Sequence, residues 1–128
     1  MKKIGTLKLG IFEVPLWFTV IHRDTFALKF RLPIDRDILP VVKNSEPKEL
    51  IVSGSAYRQT TIWLLFTSIK EVEEALDRLQ KAGIFAEAGT RKKIIDYLAS
   101  FREDALLLFN LPAEYKEKII ARILLEET

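Results

Sequence analysis

Ser68-Ile69-Lys70-Glu71 divides the chain into two halves of different character. A Ser at the leading position of a helix accepts from the backbone N–H three residues on, while a Glu there reaches back, so donors left orphaned by a helix start are satisfied reciprocally. Strand-type sequence runs up to Thr67, and helix-type sequence runs from Ser68 to the end. This segregation predicts an α+β fold: a mostly antiparallel sheet of about five strands, covered on one face by three C-terminal helices. Strands and helices do not interleave, which argues against a doubly wound sheet, a TIM barrel and a β-α-β-β-α-β sandwich. There is no internal repeat.

Upstream of the box, Leu50 to Thr67 is strand-like. Ile62, Leu64 and Phe66 form the inward set, and Ser53-Gly54-Ser55 and Tyr57-Arg58-Gln59 compete as reversal points. Pro33, Pro40 and Pro47 bracket a surface connection in which Asp37 to Val42 makes at most one short helical turn. Thr25 to Leu32 alternates most cleanly, with Phe26, Leu28, Phe30 and Leu32 inward and Ala27, Lys29 and Arg31 outward. Leu16 to His22 is apolar on both sides (Leu16, Phe18, Val20 against Trp17, Ile21), which predicts a central strand covered on both faces. Arg23-Asp24 is the turn that joins these two strands as an antiparallel hairpin. A first strand from Lys3 to Val14, with Leu7, Leu9 and Ile11 on one side, ends at Pro15.

Downstream, the first helix carries the stripe Ile69, Val72, Leu76 and Leu79 and stops at Gly83, with Ile84 closing over its last turn. A second helix is capped by Thr90, points Ile94, Ile95, Leu98 and Phe101 inward, and continues through Leu108. Asn110 and Pro112 open a third, whose band Tyr115, Ile119, Ile120, Ile123, Leu124 and Leu125 is wider than one packed stripe needs.

Composition narrows the function classes. At 128 residues, with 48% apolar and 30% charged, the chain reads as one ordered domain over 1–128, a sheet part (1–67) and a helical part (68–128). No apolar run reaches the roughly 18 to 20 residues that cross a bilayer, and Met1-Lys2-Lys3 opens no signal peptide, so the expectation is a cytoplasmic protein with no membrane partner. The absence of cysteine removes disulfides, thiolate nucleophiles and zinc–cysteine sites together. Two Asn, two Gln and a single Met beside abundant Lys, Glu and Arg follow the trend of heat-adapted proteins. Net charge is +2, split as +4 over residues 1–67 and −2 over 68–128, so the sheet half is the basic half. An isoelectric point near 8.9 falls just below the roughly 9 that marks a nucleic-acid footprint.

No catalytic or cofactor signature has its full spacing. His22-Arg23-Asp24 matches the opening of a kinase catalytic loop, but Lys29 stands where that loop needs Asn, and a hairpin turn accounts for it. Gly83 to Thr90 has two glycines before a helix yet lacks the Lys of a phosphate loop. A winged helix would need a helix where Thr60 to Thr67 reads as strand. Asp35 with Glu46-Pro47-Lys48 resembles a nuclease Mg²⁺ site, and Pro47 breaks the strand that would aim Glu46 and Lys48 together.

Charge placement leaves two candidate anion sites and one candidate interface. Lys29 and Arg31 share an outward strand face, with Trp17, Lys3, Lys8, Tyr57 and Arg58 as possible neighbours, the basic–aromatic mixture that holds single strands; solubilising charge is the competing account. Arg91-Lys92-Lys93 follow Thr90 in the first turn of a helix, where cations oppose the macrodipole unless an anion or paired carboxylates such as Glu87 and Asp96 offset them. Ile119, Ile120, Ile123 and Leu124 are the candidate partner surface on the last helix. The leading expectation is a non-catalytic, self-associating binding module for a polyanion such as nucleic acid, using Lys29, Arg31, Arg58, Thr90, Arg91, Lys92 and Lys93 and no cofactor or metal. A protein-interaction domain acting through the last helix is the alternative, and a metal-dependent nuclease a distant third.

Overall fold

The computed structural model describes residues 1–22, 25–33, 36–54, 57–87, 89–101 and 111–127, with the side chains of 123, 126 and 127 outside that description. Six strands form one antiparallel sheet, β1 (Lys2–Leu9), β2 (Phe12–His22), β3 (Thr25–Pro33), β4 (Glu49–Gly54), β5 (Gln59–Phe66) and β6 (Phe85–Ala86). Their order across the sheet is β4-β5-β3-β2-β1-β6. Four helices accompany them among the described residues: α1 (Leu39–Ser45), α2 (Ile69–Lys81), α3 (Thr90–Ala99) and α4 (Ala113–Glu127). The expected α+β class holds, with one more strand and one more helix than the sequence indicated.

The N-terminal hairpin departs from the sequence reading. The chain reverses at Gly10-Ile11, with Leu9 opposite Phe12, so Lys3 to Val14 is two strands rather than one. Gly10 takes a φ of 64° at the first loop position, where a left-handed residue lets a two-residue turn follow the strand twist. Ile11, expected inside, lies exposed at that turn. Pro15 does not end a strand: it sits within β2 opposite Thr6. β2 pairs with β3 only from Trp17 onward, so Pro15 lies where no β3 ladder requires its missing N–H. A second correction concerns coverage of β2, since Leu16 and Phe18 are buried whereas Trp17 is only half-buried and Ile21 is exposed.

The β2–β3 hairpin forms, and its Arg23-Asp24 turn lies outside the described residues. The β4–β5 reversal falls between Gly54 and Gln59, spanning parts of both candidate turns. The Pro-bracketed connection holds a seven-residue helix, α1, with Asp37 Oδ1 accepting from the Leu39 N–H at 2.9 Å. Arg78 on α2 anchors its far end, donating from Nε to the Asn44 carbonyl at 2.7 Å and from Nη2 to the Ser45 carbonyl at 2.9 Å.

The capping box forms with a small variation. Ser68 Oγ accepts from the Glu71 N–H at 3.2 Å, and Glu71 reaches back to the N–H and hydroxyl of Thr67, both at 3.1 Å, rather than to Ser68 itself. At the other end of α2, the Ile84 N–H bonds to the Leu79 carbonyl at 2.8 Å and the Gly83 N–H to the Gln80 carbonyl at 3.0 Å, the Schellman closure anticipated at Gly83. Ile69, Val72, Leu76 and Leu79 are all buried, joined by Ala75. They meet Phe18, Phe26, Leu28, Phe30, Ile62 and Leu64 from the sheet, with Ile94, Leu98 and Tyr115 extending the same core. α4 packs on α3. The continuation of α3 toward Leu108 and the Asn110 start signal lie outside the described residues.

β6 is two residues long, and it explains an otherwise odd glycine. Phe85 pairs opposite Leu7 and lays its ring over Gly5, where a Cβ would stand 2.7 Å from the ring Cζ and 2.8 Å from the Glu87 Cβ. The β1 bulge between Lys3 and Gly5 brings Ile4 and Gly5 inward together. Gly5→Ala should therefore destabilise the fold by about 1–3 kcal/mol through overpacking, measured by urea unfolding. A neutral result would mean that Phe85 has room to move.

Candidate functional site

Cross-strand register builds one row across the sheet face opposite the Phe18–Leu28–Leu64 core. Lys3 lies opposite Trp17, Trp17 opposite Lys29, Lys29 opposite Trp63, and Trp63 opposite Ile51. Residues directly opposed in antiparallel strands point to the same side, so these five share a surface. Their inward neighbours Phe18, Leu28 and Leu64 fill the core. Lys29 is held in the middle, with Nζ 4.9 Å from the centre of the Trp63 ring and only 9% of the residue exposed. Burial first, and the positive charge of Arg31 second, hold the Lys29 ammonium below its ordinary value of 10.5.

Beyond the Trp17–Lys29 pair, β2 and β3 part. Pro15, Trp17, Lys29 and Arg31 line the depression left in that fork, together with Met1 and Gln59, and it has a volume of about 570 Å³. Arg31 is exposed at its rim, and Lys3 is exposed at the start of the row. None of Lys3, Lys29 and Arg31 forms an ion pair with a carboxylate of the described residues. The surface thus offers two indole rings and three cations on one side of a rigid sheet. Trp63 was not singled out by sequence reasoning, because its place beside Lys29 depends on β5 pairing with β3. The signal was present in the alternation of Ile62, Leu64 and Phe66, which puts Trp63 outward.

Other predicted residues are placed elsewhere. Lys8 lies opposite Glu13 near the β1–β2 turn. Arg58 sits in the β4–β5 reversal with a φ of 59°, beside an exposed Tyr57 at 65°, both in the left-handed region that strains residues other than glycine.

The basic turn of α3 is largely neutralised from within. Arg91 bridges Glu73, at 2.9 Å, and Glu114, and the hydrogen bond it donates to Glu73 raises its guanidinium pKa further. Lys93 meets Glu87 at 2.9 Å, the pairing anticipated from sequence, and Asp96 pairs with Arg122 at 3.5 Å. Lys92 is exposed. Thr90 is the first residue inside α3, not its cap; Gly89 occupies the capping position, and the Thr90 hydroxyl turns toward the Ile4 carbonyl at 3.5 Å. Arg91 also lies 5.7 Å from the ring of Tyr115, whose phenol is raised by burial and then by Glu73.

On α4, Ile119 and Tyr115 are packed inside the chain, whereas Ile120, Leu124 and Leu125 are exposed; the Ile123 side chain lies outside the described residues. Of the nuclease-like set, Glu46 lies 3.8 Å from Arg78 and Lys48 lies 3.7 Å from Glu71, while Asp35 is outside the described residues. No cluster of three metal-capable side chains occurs among the described residues. No described helix is long and apolar enough to cross a membrane.

A Lys kept between two indoles in a drying environment lowers stability while it stays charged. Because its folded pKa lies below the unfolded value, the unfolded chain binds more protons between the two, and stability rises as pH climbs through the folded value toward 10.5. Lys29→Met should keep the fold, and the difference in unfolding free energy between it and the natural chain should change in the natural chain's favour from pH 7 to pH 10. A pH-independent difference in denaturant unfolding would show that Lys29 is fully solvated. Compared with protein-family models, curated proteins and solved structures, the chain matches none, and its functional reading rests on this geometry.

Proposed function

We propose that this chain is a non-catalytic binding module that holds a polyanion, single-stranded nucleic acid by class, on the open face of its sheet. The row Lys3–Trp17–Lys29–Trp63 supports this reading. Indole faces stack on bases of any identity, and cations set among them meet the phosphates, which is how strands are held without sequence readout. The row's cations lack carboxylate partners among the described residues, whereas two of the three in the α3 turn have them. That contrast favours the sheet over Arg91-Lys92-Lys93 as the anion surface.

Fluorescence anisotropy of a labelled single-stranded oligonucleotide tests the reading. Neutralising about three phosphates gives a log–log salt slope near −2, so affinity should fall about 15-fold between 50 and 200 mM salt. Reversing the charge of Lys29 and Arg31 together should abolish binding. Trp17→Leu should weaken it by about 5- to 150-fold without changing the salt slope, because stacking is not ionic. Unchanged affinity in both variants would sink the proposal, and so would equal affinity for double-stranded DNA, whose bases present no free faces.

A second reading has its own observation. Ile120 and Leu124 lie one helical turn apart on α4 and are each more than half exposed, beside Leu125. This is the apolar face that a protein partner would cover. Leu124→Asp should then release a bound protein without unfolding the chain, as read by circular dichroism; global unfolding would identify the face as core.

A further inference from the structure

The two edges of the sheet are treated differently. On one side β6 contributes only Phe85 and Ala86, an edge too short to recruit another strand. On the other side β4 is six residues long, straight-paired to β5 from Glu49 to Gly54, with no described strand on its second backbone edge. Its middle residues are apolar and exposed on both faces: Leu50 at 38% and Val52 at 54% on the helix side, Ile51 at 41% on the open side. A strand that must stay solitary ordinarily carries an inward charge, a proline or a bulge at its centre. β4 has none of these, and its one charge, Glu49, is at its first residue.

We propose that β4 is a self-pairing edge, through which two copies of this chain join antiparallel into one continuous sheet. The sequence of β4 is complementary to itself in the register centred on Ile51. There Ile51 faces Ile51 of the second copy, Leu50 faces Val52, and Glu49 faces Ser53, so the apolar triad covers itself and no like charges meet. A two-fold axis normal to the sheet keeps the helices of both copies on one side, where Leu50 and Val52 await cover, and the uncovered faces on the other. Homodimers favour such isologous patches. The Lys3–Trp17–Lys29–Trp63–Ile51 row then runs on into its symmetry mate, with the two Trp63 strands separated by three strand spacings, roughly 14 Å. Self-pairing rests on β4 alone and stands whether or not the open face binds nucleic acid. It differs from association through α4.

Because the chain contains no cysteine, a single introduced thiol reports the pairing directly. Directly opposed residues of antiparallel strands have Cα atoms about 4.5–5.5 Å apart, within disulfide reach. Ile51→Cys should therefore cross-link to a covalent dimer under mild oxidation, far faster than Leu124→Cys on α4. Sedimentation of the natural chain, without nucleic acid, should show a monomer–dimer equilibrium at about 1–100 μM, as suits a small interface. Val52→Lys should weaken it at least about tenfold while circular dichroism stays unchanged. A monomer throughout that range, a dimer indifferent to Val52→Lys, or faster cross-linking at Leu124→Cys would each overturn the assignment. Oligonucleotide anisotropy on the Val52→Lys monomer separates this outcome from the binding reading, since Lys29, Trp17 and Trp63 remain in place.

Discussion

Strand register is the constraint on which everything else in this molecule rests. Side chains alternate with a period of two, so the register that sets Phe18, Leu28 and Leu64 under the helices must set Trp17, Lys29 and Trp63 on the other face. A one-residue slip of β3 would place a lysine in the core and a phenylalanine in water. The aromatic–basic row is thus enforced by the same hydrophobic burial that holds the fold together, and it inherits the rigidity of the sheet's centre.

The helical half closes one face and handles its own charge. α2 is fixed at both ends by local hydrogen bonds, through Ser68 and Glu71 at the start and Gly83 and Ile84 at the end, so its apolar stripe arrives on the sheet in a defined phase. Arg78 then ties α1 to α2 through backbone carbonyls, which satisfies groups that a short helix leaves unpaired. Arg91 joins α2, α3 and α4 by way of Glu73 and Glu114. Exposed pairs of this kind each contribute little, about 0–1 kcal/mol, but they neutralise Arg91 and Lys93, whereas Lys3, Lys29 and Arg31 on the sheet meet no carboxylate among the described residues.

Much of this was legible in the sequence because local rules dominated there. The capping box, the Gly83 stop and the alternation of Phe26 to Leu32 each reflect one physical requirement met within a few residues. The Gly10-Ile11 reversal is poorly signalled because a single glycine is a weak turn signal, and Pro15 misleads because its cost depends on whether a neighbouring strand needs its N–H. β6 carries only two residues and has no pattern to read. Lys29 and Arg31 were recognisable as an outward pair, yet joining them to Lys3, Trp17 and Trp63 required the strand order, a long-range property. For the same reason only local partners could be assigned to the basic turn after Gly89: Glu87 is near in sequence, but Glu73 and Glu114 reach Arg91 only through tertiary packing.

Lys29 supports the proposed binding role of the row over mere solubility. A solubilising lysine keeps its ammonium in water and its stem mobile, and it perturbs stability little. Here the stem is nearly covered and the ammonium stands over an indole, so burial works against the charge while the cation–π contact, about 0.5–2 kcal/mol, works for it. The side chain has already surrendered most of its rotamer freedom, a loss of about 0.5–1.5 kcal/mol that a mobile lysine would incur only on meeting a ligand. Trp17 and Trp63 are likewise fixed by the sheet. Folding therefore bears the ordering cost in advance, and an anion arriving at this face meets a charge and two rings already in position.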